Sequence, residues 1–273
     1  MRRCAVGLAL VLGLASCGGS GTETPTSVAS PASAVFFGDS LTDAGTYGVR
    51  YTTMPGESWA QMVDADGENF AVGGATVAQM STQLDDFFAS EATVDPGALV
   101  TVFIGTNDVL ADTPLTSVTD AADAALDQIS RLLDAGAQQV LVFTLFDLAH
   151  TPAFTSEESR ARIHERTVAY NDRLLDGLAE RFDGDGRVGV FDTFGILGDV
   201  VADPTAYGFT HGAGEDACAD GPAVGFCDSD GLVAPGADRD YVFAGGVHLT
   251  TGTNELLADA VRQRVEELWG VSM

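Results

Sequence analysis

Apolar residues recur along this chain in two rhythms that take turns. Short unbroken apolar runs lie at Ala34–Phe37, Val100–Ile104, Val140–Leu145, Val188–Phe191 and Tyr241–Phe243. Between them run longer stretches with apolar positions at helical spacing: Ser58–Val63, Val77–Phe88, Leu115–Ala135, Ser156–Arg181 and Thr253–Trp269. In the fourth of these, Ile163, Val168 with Tyr170, and Leu174 with Leu175 form an apolar stripe among charges. Short runs without polar alternation predict strands buried on both faces, and the intervening periodicity predicts amphipathic helices. Alternation of the two predicts an α/β fold with a parallel sheet between helical layers. No repeat or internal linker divides the chain after Ser33, so 34–273 is expected to be one domain. Asp203 through Asp240 lacks either rhythm and is expected to form a long loop or lid-like insertion.

Chemistry gathers where the apolar runs stop. Ala34–Phe37 ends in Gly38-Asp39-Ser40-Leu41. A serine at the carboxyl end of a buried strand stands where open α/β sheets bind ligands, on a rigid base suited to a nucleophile. Taken alone, Gly-Asp-Ser would read as a helix cap. Three further segments weigh against that: Asn69-Phe70-Ala71-Val72-Gly73-Gly74-Ala75-Thr76, Ile104-Gly105-Thr106-Asn107-Asp108 and Gly246-Val247-His248-Leu249-Thr250. Asn107-Asp108 would otherwise read as a turn after its strand, and Gly73-Gly74 as a flexible one.

In their order along the chain, these four blocks resemble the SGNH, or GDSL-type, hydrolase family, in its lipase/acylhydrolase branch. Tyr207-Gly208-Phe209-Thr210, Cys218, Phe146-Asp147-Leu148 and Tyr170-Asn171 carry the same resemblance. It implies a three-layer α/β/α fold with a flavodoxin-like sheet. It also implies Ser40 as nucleophile, His248 as general base, and an oxyanion hole from the Ser40 and Gly74 backbone N–H groups and the Asn107 amide. Gly73, one residue away, leaves the register of the second donor open. The roles are chemically coherent: acyl transfer needs a hydroxyl activated by an imidazole and donors aimed at the developing oxyanion. Neither a metal nor an organic cofactor is implied.

The chain departs from the family at one place. The aspartate usual three residues before the histidine is here Gly245, preceded by Ala244, and the following proline is Leu249. A Ser-His dyad is therefore expected, with the imidazole oriented by a backbone carbonyl or, less directly, by Asp238 or Asp240. If a carboxylate alone is lacking, Gly245→Asp should raise kcat. The alternative is a weakened or inactive surface protein that binds acyl or glycan ligands.

The amino terminus adds a destination. Met1-Arg2-Arg3, the apolar stretch Cys4–Ala15 and then Leu14-Ala15-Ser16-Cys17 have the layout of a secretory leader. The Leu-Ala-Ser-Cys ending resembles the bacterial lipobox, which implies lipidation of Cys17 after removal of the leader (1–17). Gly18–Ser33, rich in Gly, Ser, Thr and Pro, is then expected to be a tether to the membrane of an exported, envelope-bound protein. With Cys4 removed and Cys17 lipidated, Cys218 and Cys227 remain, and a disulfide between them suits an oxidising compartment. The 13 basic residues, all Arg, against 40 acidic ones give a formal charge of −27. Such a surface argues against nucleic-acid partners and electrostatic docking on anionic lipid. The expected partner is an ester substrate: short-chain, lipid or acetylated glycan. Phe154, Phe194, Ile196, Leu197 and Phe209 are candidates for an acyl pocket.

Overall fold

The structure, a computed structural model, describes residues 33–91, 93–221 and 225–273. The leader, Cys17 and all of the tether but Ser33 lie outside the described residues. Five parallel strands form the main sheet: β1 (Ala34–Gly38), β2 (Glu68–Asn69), β3 (Leu99–Phe103), β4 (Gln139–Phe143) and β5 (Val188–Phe191). Their order is β2-β1-β3-β4-β5, the flavodoxin-like arrangement.

Adjacent residues of a strand point to opposite faces, and β1 shows what each face meets. Phe36 packs edge-on against Trp59 of α1 (Trp59–Val63), whereas Phe37 meets Phe87 of α2 (Val77–Ser90). Phe103, Phe143 and Phe191 continue the Trp59 side across β3, β4 and β5 as a row of ring contacts 4.7–4.9 Å apart. Helix α1 lies against the long carboxyl-terminal helix, while α2, α4 (Leu115–Asp134) and α5 (Glu157–Phe182) pack on one another. The face of α5 turned inward carries Ile163, Thr167, Tyr170, Leu174 and Leu178; Leu175, expected in the stripe, is largely exposed.

Three elements depart from the expected pattern. Glu68–Asn69, too short and polar to show an apolar run, is the edge strand beside β1. Asn107 and Asp108 belong to a short helix, α3 (Thr106–Leu110), rather than to a turn. Tyr241–Phe243 does not join the main sheet. As part of β7 (Tyr241–Ala244) it lies between β6 (His211–Asp216) and β8 (His248–Leu249) in a small mixed sheet. The stretch Asp203–Asp240 is thus more ordered than expected, holding β6, the short helix α7 (Ala237–Asp240) and a Cys218–Cys227 disulfide. Between β5 and β6 runs α6 (Thr193–Ala202), and the chain closes with α8 (Thr251–Trp269), capped by the Thr250 hydroxyl on Thr253 N–H.

Candidate active site

Ser40 follows β1 at the point where the strand order reverses, with β2 on one side and β3 on the other. Gly38 makes this turn possible. A Cβ there would overlap the Phe103 carbonyl oxygen and come within 2.9 Å of the Thr42 hydroxyl. The buried Gln83 amide brackets Gly38, accepting from its N–H at 3.1 Å and donating to its carbonyl at 2.8 Å. Beyond it the main chain folds onto Asp39, whose carbonyl accepts from Thr42 and Asp43 N–H and whose carboxylate accepts from Leu41 N–H.

His248 begins β8, and its Nε2 lies 2.8 Å from Ser40 Oγ. The two residues, 208 positions apart in the chain, are only 8% and 7% exposed. This is the geometry of a hydroxyl held by an imidazole able to take its proton. Burial pushes the imidazole down to about 4, opposed by the nearby Gly245 and Gly225 carbonyls, so the ring is neutral near pH 7.

The residues expected as donors lie on neighbouring loops. Gly73 N–H donates to Asp43 Oδ2 at 2.7 Å, so it is occupied. Gly74 N–H has no protein acceptor among the described residues, and neither has Ser40 N–H. Gly74 has φ +80°, and a Cβ there would face open space. Of the two, Gly74 is the one whose N–H is left without a partner among the described residues. Asn107 spends one amide hydrogen on the Ala75 carbonyl at 2.8 Å, which ties α3 to the Gly74 turn. Asp108 accepts from Val77 N–H at 2.9 Å and joins α3 to the start of α2. Arg166 caps the far end of α3, donating to the carbonyls of Asp108, Val109, Ala111 and Thr113.

Among the described residues no carboxylate completes the set. Nδ1 of His248 is buried and makes no hydrogen bond with them, so neither Asp238 nor Asp240 reaches it. The carboxylate that serves this region is Asp216, which the sequence offered no signal to single out. It accepts from Gly245 N–H at 2.8 Å, Gly246 N–H at 2.9 Å and Cys218 N–H at 2.9 Å, and so holds the turn rather than the imidazole.

Asp39, beside Ser40, is fully buried, and its Oδ2 has no partner among the described residues. Burial pushes its carboxyl up to about 7, against the Leu41 N–H and Thr106 groups that favour the anion.

A groove of about 270 Å³ lies beside Gly74, lined also by Tyr47, Phe70, Val72, Gly73 and Ala75 but by neither Ser40 nor His248. None of the acyl-pocket candidates lines that groove. Leu197 and Phe209 are core residues, Phe154 packs half-buried against the core, Ile196 faces a groove with Phe191 and Leu256, and Phe194 lines a depression with Val168 and Leu175.

A buried serine and histidine in hydrogen-bond contact at the switch point of a flavodoxin-like sheet place the molecule among α/β proteins suited to serine-based acyl chemistry. Residues 35–261 match the model of the GDSL-like lipase/acylhydrolase family, and the chain belongs to that family. It is 29% identical over 139 residues to a phosphatidylcholine-sterol acyltransferase of Aeromonas hydrophila, covering 50% of this chain and 41% of that protein. It is 24% identical over 300 residues to a Pseudomonas putida protein of the trpE-trpG intergenic region, covering 88% of this chain and 49% of that one. The chain thus spans half or less of the length of these relatives. Among solved structures, a G-D-S-L family lipolytic protein from Veillonella parvula superposes with TM-score 0.54 at 21% identity, covering 85% of this chain and 96% of its own. An acetyl xylan esterase superposes at 0.52 and 15% identity, covering 84% and 97%.

Proposed function

We propose that this chain is a carboxylic-ester hydrolase working through a Ser40–His248 dyad, exported and anchored to a membrane by lipid on Cys17. The 2.8 Å contact between His248 Nε2 and Ser40 Oγ carries the reading. In this scheme Ser40 Oγ attacks the ester carbonyl while His248 Nε2 takes its proton. The Ser40 and Gly74 N–H groups and the second Asn107 amide hydrogen receive the charge of the tetrahedral intermediate. Its collapse expels the alcohol, protonated by His248, and leaves an acyl-serine. Water, deprotonated by the same imidazole, then releases the acid and restores Ser40. Binding of the acyl or alcohol portion falls to the groove beside Gly74, and substrates are drawn from short-chain, lipid or acetylated glycan esters.

The unpartnered Nδ1 favours a second reading, a protein of weakened activity that binds acyl or glycan ligands. Hydrolysis of p-nitrophenyl esters from acetate to palmitate by Ser33–Met273 and its Ser40→Ala variant separates the two. Turnover lost in the variant supports the hydrolase, and the chain-length optimum sorts esterase from lipase. Equal background rates in both proteins would overturn the hydrolase reading for these substrates. The anchor is tested by metabolic labelling with a radiolabelled fatty acid: label absent from the full chain, or retained after Cys17→Ser, would refute it.

A further inference from the structure

The space an aspartate side chain at 245 would need is occupied. A Cβ on Gly245 would come within 2.6 Å of Phe226 N and 2.8 Å of the Gly225 carbonyl oxygen. That peptide belongs to the loop closed by the Cys218–Cys227 disulfide. The same loop reaches the imidazole: a Cβ on Gly225 would lie 3.4 Å from His248 Cε1 and 3.5 Å from Tyr51 Cδ1. Tyr51, from the loop after β1, lays its ring on His248 with centroids 5.1 Å apart and planes tilted by 32°. Phe226 meets the Tyr51 ring edge-on at 6.4 Å. The two loops are stitched together by Met54 N–H donating to the Cys227 carbonyl at 2.7 Å. Toward the donor side, Tyr51 covers Gly73, where a Cβ would overlap its ring.

Taking His248 as the general base, we propose that Tyr51 is a positioning residue that, with the disulfide-closed Gly225–Phe226 peptide, holds the imidazole in place of the missing carboxylate. The flat phenol ring restricts rotation and tilt of the imidazole. Gly225 lies beside Cε1 and Nδ1 of the ring, and the Gly225 and Gly245 carbonyls favour its charged form. Glycines at 73 and 245 are the sequence counterpart, because side chains there would collide with this assembly, while Gly225 takes a left-handed φ of +71° that disfavours any other residue.

The titratable groups around the ring are few. Ser40 faces Nε2, and the Tyr51 phenol, its own ionisation pushed up by burial and by Asp43, covers one face. Asp216 is spent on the turn amides behind it. Burial, much of it under Tyr51 and the disulfide loop, therefore sets the protonation of His248.

The test compares wild type, Tyr51→Phe, Tyr51→Ala and Ser40→Ala by kcat, KM and the pH dependence of kcat/KM on a p-nitrophenyl ester, with thermal unfolding of each. Tyr51→Phe keeps the ring and should stay within about threefold of wild type. Tyr51→Ala should lose about 10–100-fold in kcat, as removal of orienting partners commonly does at other sites. Its acid limb should move from near pH 4 toward the ordinary histidine range as water reaches the ring. Reducing the disulfide should move the limb the same way. A merely unstable variant would lower the active fraction and leave the limb where it was. An unmoved limb in Tyr51→Ala, or equal loss in Tyr51→Phe, would overturn the proposal. Full activity in Ser40→Ala would instead overturn the dyad on which it rests.

Discussion

Restoring the aspartate is the obvious repair for a site that lacks one, and the structure predicts that it fails. In Gly245→Asp the new side chain must start at φ +55°, and its Cβ must enter the Gly225–Phe226 peptide. The left-handed backbone costs a non-glycine residue about 1–2 kcal/mol. Forcing an extra group into a packed site costs typically about 1–3 kcal/mol more. The obstruction is backbone on a disulfide-closed loop, so it cannot yield by a rotamer change. Together these give a loss of about 2–5 kcal/mol, which for a domain of this size lowers Tm by roughly 4–20 °C. Gly245→Ala carries the same backbone and Cβ penalty without a charge, and should lose a comparable amount. The assay is calorimetric unfolding of the three proteins alongside ester turnover. In both variants kcat should fall, because the displaced loop takes its carbonyls and its contact with Tyr51 away from His248. A Gly245→Asp protein that melts within 2 °C of wild type and turns over faster would refute the steric reasoning and return the site to a simple missing-acid account.

Two further expectations come from buried groups. The Asp39 carboxyl, at about 7 in the fold against an ordinary 3.8, makes the native state the tighter proton binder, so its contribution to stability declines as pH rises between those values. His248, at about 4 against 6.5, works in the opposite sense and adds stability as pH rises from 4 to 6.5. Asp39→Asn removes the first slope; urea unfolding should then show stability rising from pH 4 to 6.5 and a gain over wild type above pH 7, and parallel profiles would contradict this. Arg166→Met strands the carbonyls at the end of α3, and should cost at least about 2 kcal/mol in urea unfolding and reduce kcat by shifting Asn107. Unchanged stability would mean that water takes over those carbonyls.

The strands and helices readable in the chain were those that bury enough apolar surface to leave a periodic mark. Phe36 and Phe37 needed both faces of a sheet covered, and they have them. Glu68–Asn69 left no mark because two polar residues at a sheet edge satisfy hydrogen bonds without building a core. The small sheet around β7 was misplaced for a related reason: an apolar run announces burial, not which strands it pairs with.

For the candidate site, it was the resemblance of four ordered blocks to the GDSL-type family that pointed to Ser40, Gly74, Asn107 and His248 as one chemical set. Local sequence carried that much because each of the four stands in a short block of its own that follows an apolar run or a glycine turn. How the histidine is held was not legible. Asp216, Tyr51 and the Gly225–Phe226 peptide reach the His248 turn from distant parts of the chain, and no spacing rule links them. Gly245 looked like a lost aspartate in one dimension. In three it is a place where backbone packs against backbone, because excluded volume between segments remote in sequence exists only once the chain has folded.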